Sequence, residues 1–488
     1  MDTFKNTRVI SGFIWRFMER VGAQLVQFIV SIVLARILDP SVYGTVALIT
    51  VFTTIMQVFV DSGLGNALIQ KKNADDIDFS TVLYTNICFC IFLYGVMWLS
   101  APAIAHFYHQ AELVPYVRVL SLTIVVSGVK NIQQAYVSRK MLFKRFFFAT
   151  LAGTIGAAVL GITMALHGAG VWAIIAQQLF NLTVDTCVLW ITVRWRPIRA
   201  FSFQRLKGLF SYGWKLLVSS LLDTGYNNLR QLLIGKIYSS SDLAYYNQGD
   251  KFPAVIVNNI NTSIDSVLLP AMSSEQDHKD QVKNMTRRAI KISTYIMAPL
   301  MIGLAACSKE VVALILTDKW LPCVPYLQIF CFSYMIWPLH TANLNAIKAL
   351  GRSDMFLKLE IIKKCVGLIL LIITMRISVL AMAISLLFSG VCSLIINSWP
   401  NRKLLDYRVE EQIKDILPNF IMALIMGASV YAIGFMHLPV IARLIIQLLV
   451  GMIVYYFLSR VTKNETYYYA LDIIKHIHSS DQSRKNDQ

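Results

Sequence analysis

Apolar stretches of bilayer length alternate with short polar connectors along the whole 488-residue chain. A spanning helix needs about 20 mostly apolar residues. Fourteen segments meet that length: 11–36, 42–64, 80–107, 114–138, 146–167, 169–193, 208–236, 251–270, 287–316, 325–349, 357–375, 378–399, 414–435 and 438–460. The pattern predicts an all-α polytopic membrane protein of about fourteen spans. The first segment, SGFIWRFMERVGAQLVQFIVSIVLAR, carries polar groups in an unexpected place. Arg16, Arg20, Gln24, Gln27 and Ser31 recur at helical spacing and share one face, with Glu19 beside them. A charge near the centre of a spanning helix costs roughly 2.5–3.5 kcal/mol on insertion scales. Such a face belongs against water or protein rather than lipid.

The stripe has an echo. Trp15-Arg16 opens the first span and Trp214-Lys215 opens the seventh, 199 residues later. Lys215, Ser219, Asp223, Tyr226 and Arg230 then repeat the same spacing. Six spans separate the two starts, so both helices leave the same side of the membrane, as in a parallel repeat. The expected organisation is an N-terminal lobe at 1–200 and a C-terminal lobe at 201–400. Two extra spans follow at 401–461, then a cytoplasmic tail at 462–488.

The second span adds Thr50, Thr53, Thr54, Gln57 and Asp61, and the eighth adds Asn258, Thr262 and Asp265. The first two helices of each half then line a central cavity, where transporter sites lie. Arg16, Arg20, Lys215 and Arg230 are candidate contacts for a phosphate or carboxylate, which guanidinium and ammonium groups recognise. Glu19, Gln24, Gln27, Gln57, Asp61, Asp223, Tyr226, Asn258 and Asp265 are candidate polar lining. Its carboxylates suit a proton or Na⁺ as coupling ion. The plainer reading is local pairing of Arg16 with Glu19 at i, i+3, and of Asp61 with its own helix end. The tenth span adds His340, Asn343 and Lys348, and the eleventh Lys363 and Lys364.

Composition agrees with the membrane reading: 56% of residues are hydrophobic and 15% charged, against about 25% charged in soluble domains. The net charge of +17 is spread over alternate connectors, which argues against nucleic-acid binding. Those connectors hold Lys71 and Lys72; Arg139, Lys140, Lys144 and Arg145; Arg194 to Lys207; Lys279 and Lys283; Arg352; and Arg402, Lys403 and Arg408. Lys and Arg collect on the cytoplasmic side, so both termini are expected there. No cleavable signal peptide is read at the start. The eight cysteines form no CxxC pair and read as small buried hydrophobes. No P-loop, HExxH or GxSxG motif is present. The expectation is a non-enzyme with no catalytic residue, metal or cofactor.

Leu34-Ala35-Arg36-Ile37-Leu38-Asp39-Pro40-Ser41-Val42-Tyr43-Gly44 resembles the signature that follows the first span of polysaccharide exporters. Asp61-Ser62-Gly63-Leu64 with Ala67-Leu68-Ile69-Gln70, Gly170-x-Trp172 with Gln177, and Leu243-Ala244-Tyr245-Tyr246-Asn247 are similar to further parts of that pattern. The resemblance is to the Wzx-type lipid-linked oligosaccharide flippases of the multidrug/oligosaccharidyl-lipid/polysaccharide exporter superfamily, in the colanic-acid and teichuronic-acid branch. It implies two six-helix lobes around a cavity. It also implies an undecaprenyl-pyrophosphate-linked sugar moved across a bacterial plasma membrane, for O-antigen, capsule or exopolysaccharide synthesis. Cavity cations of such proteins engage the pyrophosphate, which maps onto Arg16 and Arg20, then Lys215 and Arg230. Membrane lipids, a polysaccharide polymerase and chain-length machinery are the implied partners. The rival readings are a cation-coupled multidrug antiporter of the same superfamily and a membrane glycosyltransferase or polymerase. The outer loops are too short for the catalytic domain that the last requires.

Overall fold

The computed structural model describes residues 22–61, 64–71, 74–140 and 142–469, with Met18 and Asp472. Among the described residues there is no strand. The helices of the first half are α1 (Gly22–Ile37), α2 (Pro40–Asp61), α3 (Leu64–Gln70), α4 (Asp76–Tyr108), α5 (Leu113–Leu120), α6 (Leu122–Arg139), α7 (Phe143–Leu166), α8 (Val171–Thr192) and α9 (Phe203–Ile237). Then come α10 (Ser240–Ser274), α11 (Lys279–Ala306), α12 (Ser308–Ile315), α13 (Val324–Met335), α14 (Trp337–Ala349), α15 (Ser353–Thr374), α16 (Val379–Ser398), α17 (Asn401–Leu404), α18 (Val409–Ile433) and α19 (Val440–Val461). Each of the fourteen predicted segments carries helix. Among the described residues, nine helical stretches are long and apolar enough to cross a membrane.

Three predicted spans are interrupted. The segment 114–138 breaks at Ser121, between α5 and α6. The segment 287–316 breaks at Cys307, and 325–349 at Ile336. At the last of these, Pro338 lies in the first turn of α14. A proline there has no N–H to give and its fixed φ suits a helix start.

The chain divides into two compact units, 1–244 and 245–488. In the first, α7 lies on α8, α4 on α6, and α9 on α2, α3 and α4. The α7–α8 contact runs along small residues: a Cβ on Gly153 would lie 2.8 Å from the Asn181 carbonyl oxygen. Small residues let membrane helices approach this closely, so that dispersion and backbone contacts replace a hydrophobic drive that lipid cannot supply. The packing partners of α9, whose residues fall in the expected lobe at 201–400, belong to the first unit.

In the second unit α11 packs on α18, α13 and α14, and α18 on α19. Its core holds a buried amide network. Asn343 Nδ2 donates to Gln412 Oε1 at 2.9 Å, Ser398 Oγ donates to the same atom at 2.9 Å, and Asn401 Nδ2 donates to Asn343 Oδ1 at 2.6 Å. Buried amides left unpaired would each cost about 1–3 kcal/mol, so this network fixes the register of α14, α16 and α18. Asn343, read from sequence as part of a polar face, is thereby a fully buried structural residue.

A basic connector is tied down beside α4. Asp75 caps α4 in a capping box with Asp78. Arg205 pairs with Asp75, and Lys71 reaches the buried Asp78 at 2.7 Å. Trp195 Nε1 donates to Asp76 at 3.0 Å.

Candidate functional site

Arg16, Glu19 and Arg20 lie outside the described residues, as does the side chain of Lys215, a residue of α9. The rest of the predicted stripe is described. Gln24 and Gln27 are exposed on α1. On α2, Gln57 Nε2 donates to both carboxylate oxygens of Asp61 at 3.2 Å. On α9, Asn227 Nδ2 donates to Asp223 at 3.1 Å, Tyr226 is half-buried and Arg230 is buried. In the second unit, Asn258 and Asp265 are exposed on α10, where the Asn258 carbonyl accepts from the Thr262 hydroxyl at 2.7 Å. Exposed amides and carboxylates on bilayer-length helices need water or protein in front of them, because lipid satisfies none of their hydrogen bonds.

The first unit brings together residues that the sequence reading passed over. Asn131 on α6 donates to Asp61 at 3.3 Å. Its neighbour Lys130 forms an ion pair with Asp185 on α8 at 2.5 Å, with both side chains largely buried. Asp185 Oδ1 and Asn131 Oδ1 accept no hydrogen bond from any described residue. The cluster therefore joins α2, α6 and α8 through one cation, two carboxylates and an amide, with lone pairs still open. Its signal was available in the sequence, since Lys130 and Asp185 are charges inside predicted spans just as Arg16 is.

The remaining polar residues of the later spans pair locally. His340 Nδ1 lies 3.2 Å from Asn397 Nδ2, Lys363 pairs with Glu360 at 2.5 Å, and the Lys348 ammonium lies over the Phe356 ring at 4.7 Å. Another intramembrane pair, Glu310 with Arg443 at 3.2 Å, ties α12 to α19. Among the described residues no group of three His, Cys, Asp or Glu side chains is placed to hold a metal.

Close packing also explains part of the motif at 34–44. A Cβ on Gly44 would run into the backbone carbonyl of Ser240, and one on Gly235 into the Leu48 side chain. Around that contact Gln110 Nε2 donates to Ser240 Oγ at 3.0 Å, Tyr108 Oη to the Leu232 carbonyl at 3.4 Å, and Lys236 Nζ to the Phe107 carbonyl. The motif glycine thus sits where α2 meets the turn between α9 and α10.

Helices of bilayer length with ion pairs and amides set inside them define a multi-pass membrane transporter. The fold agrees. It is similar to that of a lipid II flippase, MurJ, in an inward closed conformation, with TM-score 0.74 and 14% identity over 94% of this chain and 99% of that one. It is also similar to an inward-facing multidrug resistance transporter of the MATE family, with TM-score 0.61 and 15% identity over 79% and 94%. The chain belongs to the polysaccharide biosynthesis protein family, whose pattern matches residues 33–325. Among its relatives, the teichuronic acid biosynthesis protein TuaB of Bacillus subtilis is 25% identical over 92% of this chain and 95% of its own. The lipopolysaccharide biosynthesis protein WzxC of Escherichia coli is 23% identical over 73% of each.

Proposed function

We propose that this protein is a flippase that moves undecaprenyl-pyrophosphate-linked oligosaccharide repeat units across the bacterial plasma membrane for surface polysaccharide synthesis. The observation that carries this reading is the family match across 33–325. The whole-length relative named for teichuronic acid synthesis and the flippase-like fold support it. The polymer is assembled from lipid-linked units whose charged head cannot enter hydrocarbon. A polar path through the bilayer is what the exporter must supply.

In this reading about fourteen spans form two lobes with two further C-terminal helices, and both termini are cytoplasmic. The pyrophosphate enters from the cytoplasm and meets Arg16, Arg20 and Lys215. It leaves past Arg230 as the protein alternates its access, and the polyprenyl tail stays in lipid. Guanidinium groups suit a pyrophosphate because each presents two parallel donors to two oxygens. Gln24, Gln27, Gln57, Tyr226 and Asn258 hydrate or hold the sugars, and Asp61, Asp223 and Asp265 with Glu19 are candidates to bind a coupling proton or Na⁺. A polysaccharide polymerase and its chain-length machinery take the product.

The test is a deletion strain analysed for lipid-linked sugars, with export restored by the native gene. We expect a lipid-linked repeat unit to accumulate in the inner leaflet of the deletion strain. Arg20→Ala, at equal protein level, should lower export at least tenfold, because a charge-assisted contact to phosphate contributes about 1.5–3 kcal/mol. Normal surface polymer in the deletion strain, with raised sensitivity to cationic drugs, would establish the multidrug antiporter instead.

A further inference from the structure

Two cavities in the second unit lie end to end along α11. The first, of about 680 Å³, has Arg288 and Lys291 in its wall. The second, of about 490 Å³, is lined by Tyr295, Pro299 and Gly303. These five residues follow one another at steps of three or four, so they form one helical stripe. Its end nearest the basic connectors is cationic and the rest is apolar. Across the groove, Leu448 and Met452 of α19 face the apolar part. Its floor is pinned: Tyr455 Oη donates to the Tyr295 carbonyl at 2.8 Å, and Tyr295 Oη to Ser459 Oγ at 2.9 Å.

The cations of the first cavity are not all spent. Arg287 holds Asp415 at 2.7 Å, and Lys291 holds Glu465 at 2.8 Å. Arg288 is exposed, with its guanidinium over the Tyr469 ring at 4.6 Å and no carboxylate at ion-pair distance among the described residues. An adjoining hollow of about 400 Å³ adds Lys414 and Lys463. Together the walls carry five cations, Arg287, Arg288, Lys291, Lys414 and Lys463, against the two carboxylates Asp415 and Glu465.

We propose that this groove binds one anionic glycerophospholipid of the surrounding membrane, with its phosphate on Arg288 and one acyl chain between α11 and α19. A free phosphate would explain the cations and an apolar molecule the groove, but only a ligand with both parts uses the whole stripe. From Tyr295 to Cys307 the helix rises about 18 Å. That is close to the roughly 15 Å of one hydrocarbon leaflet, the depth an acyl chain reaches from a headgroup at the surface. The site shares no residue with the transport path proposed above, and its occupant is a structural lipid rather than cargo.

The test uses the full-length protein in detergent micelles doped with phosphatidylglycerol or phosphatidylcholine, with retained lipid counted by native mass spectrometry. Phosphatidylglycerol should be retained at least about fivefold over phosphatidylcholine, the factor that about 1 kcal/mol per basic residue confers. Arg288→Ala should abolish that preference. Gly303→Leu should lower retention by filling the groove. A Cβ at Gly303 meets only Met426 Cε, at 3.7 Å, and the melting temperature in lipid-free detergent checks that the larger side chain leaves the fold intact. Where Arg288→Ala is poorly folded, Arg288→Gln serves. Equal retention of the two lipids, or native-like retention by both variants, overturns the proposal. So does displacement of phosphatidylglycerol by inorganic phosphate or by undecaprenyl phosphate, since either would give the site to a free anion or to the carrier.

Discussion

Lys130 and Asp185 show how a buried pair sets the cost of a single substitution. Taking either charge out of water is expensive, and their mutual attraction offsets that cost only while both are present. Lys130→Ala leaves Asp185 buried and unpaired, which should destabilise the fold by about 3–5 kcal/mol. The double change Lys130→Met with Asp185→Leu should lose far less, and unfolding of both variants in detergent decides the matter. A loss equal to that of the single variant would mean that the pair also holds α6 to α8 through other contacts. Outside the membrane, Arg205 beside Asp75, with the Asp78 backbone N–H, holds the Asp75 carboxyl down to about 2 from its ordinary 3.8. A depressed carboxyl stabilises the fold above its unfolded value and loses that contribution as pH falls through the folded one. The connector clamp should therefore loosen only between about pH 4 and pH 2. In Arg205→Gln, a carboxyl NMR titration should find Asp75 titrating higher than in the native protein, with the Asp78 backbone N–H still holding it below its ordinary value. The rule that a charge inside a span marks a polar interior made Arg16 and Asp223 visible in the sequence. It applied equally to Lys130 and Asp185, but which charges meet depends on helix packing, and these two are 55 residues apart.

At the scale of elements, hydrophobic length located the long helices but not their breaks. The run Tyr334-Met335-Ile336-Trp337-Pro338 is apolar throughout, so periodicity carries it through as one span, while the missing N–H of Pro338 starts a new helix. Ser121 and Cys307 break their spans without such a marker. The sequence placed α2 and α9 around one expected cavity, but did not show how closely their backbones approach. At Gly44 the backbone of α2 also comes close to the start of α10. Gly44→Ala puts a methyl group against the backbone carbonyl of Ser240, which no rotamer change relieves. We expect it to push α2 away from the α9–α10 turn. Cysteines placed at 110 and 240, whose native side chains meet at 3.0 Å, should be joined readily by a short bifunctional maleimide in the native background and much more slowly beside Gly44→Ala. Equal crosslinking rates would show that the backbone shifts elsewhere to admit the methyl.

For the whole molecule, connector charge predicts a single orientation. A cysteine placed at His437, between α18 and α19, should react with a membrane-impermeant maleimide added outside intact cells. One placed at Lys140 should react only after the membrane is opened. The eight native cysteines are replaced first. The family and the helical architecture were legible in the residues themselves. The grouping of α9 with the first unit was not, because contact between helices depends on packing that hydrophobic length does not record. The close approach of α2 to α9 has one more consequence. Gly235 faces Leu48 there as Gly44 faces Ser240, so space given to one residue of a facing pair is space taken from the other. Lineages of this chain should therefore change positions 48 and 235 together, a bulkier 235 arriving only with a smaller 48.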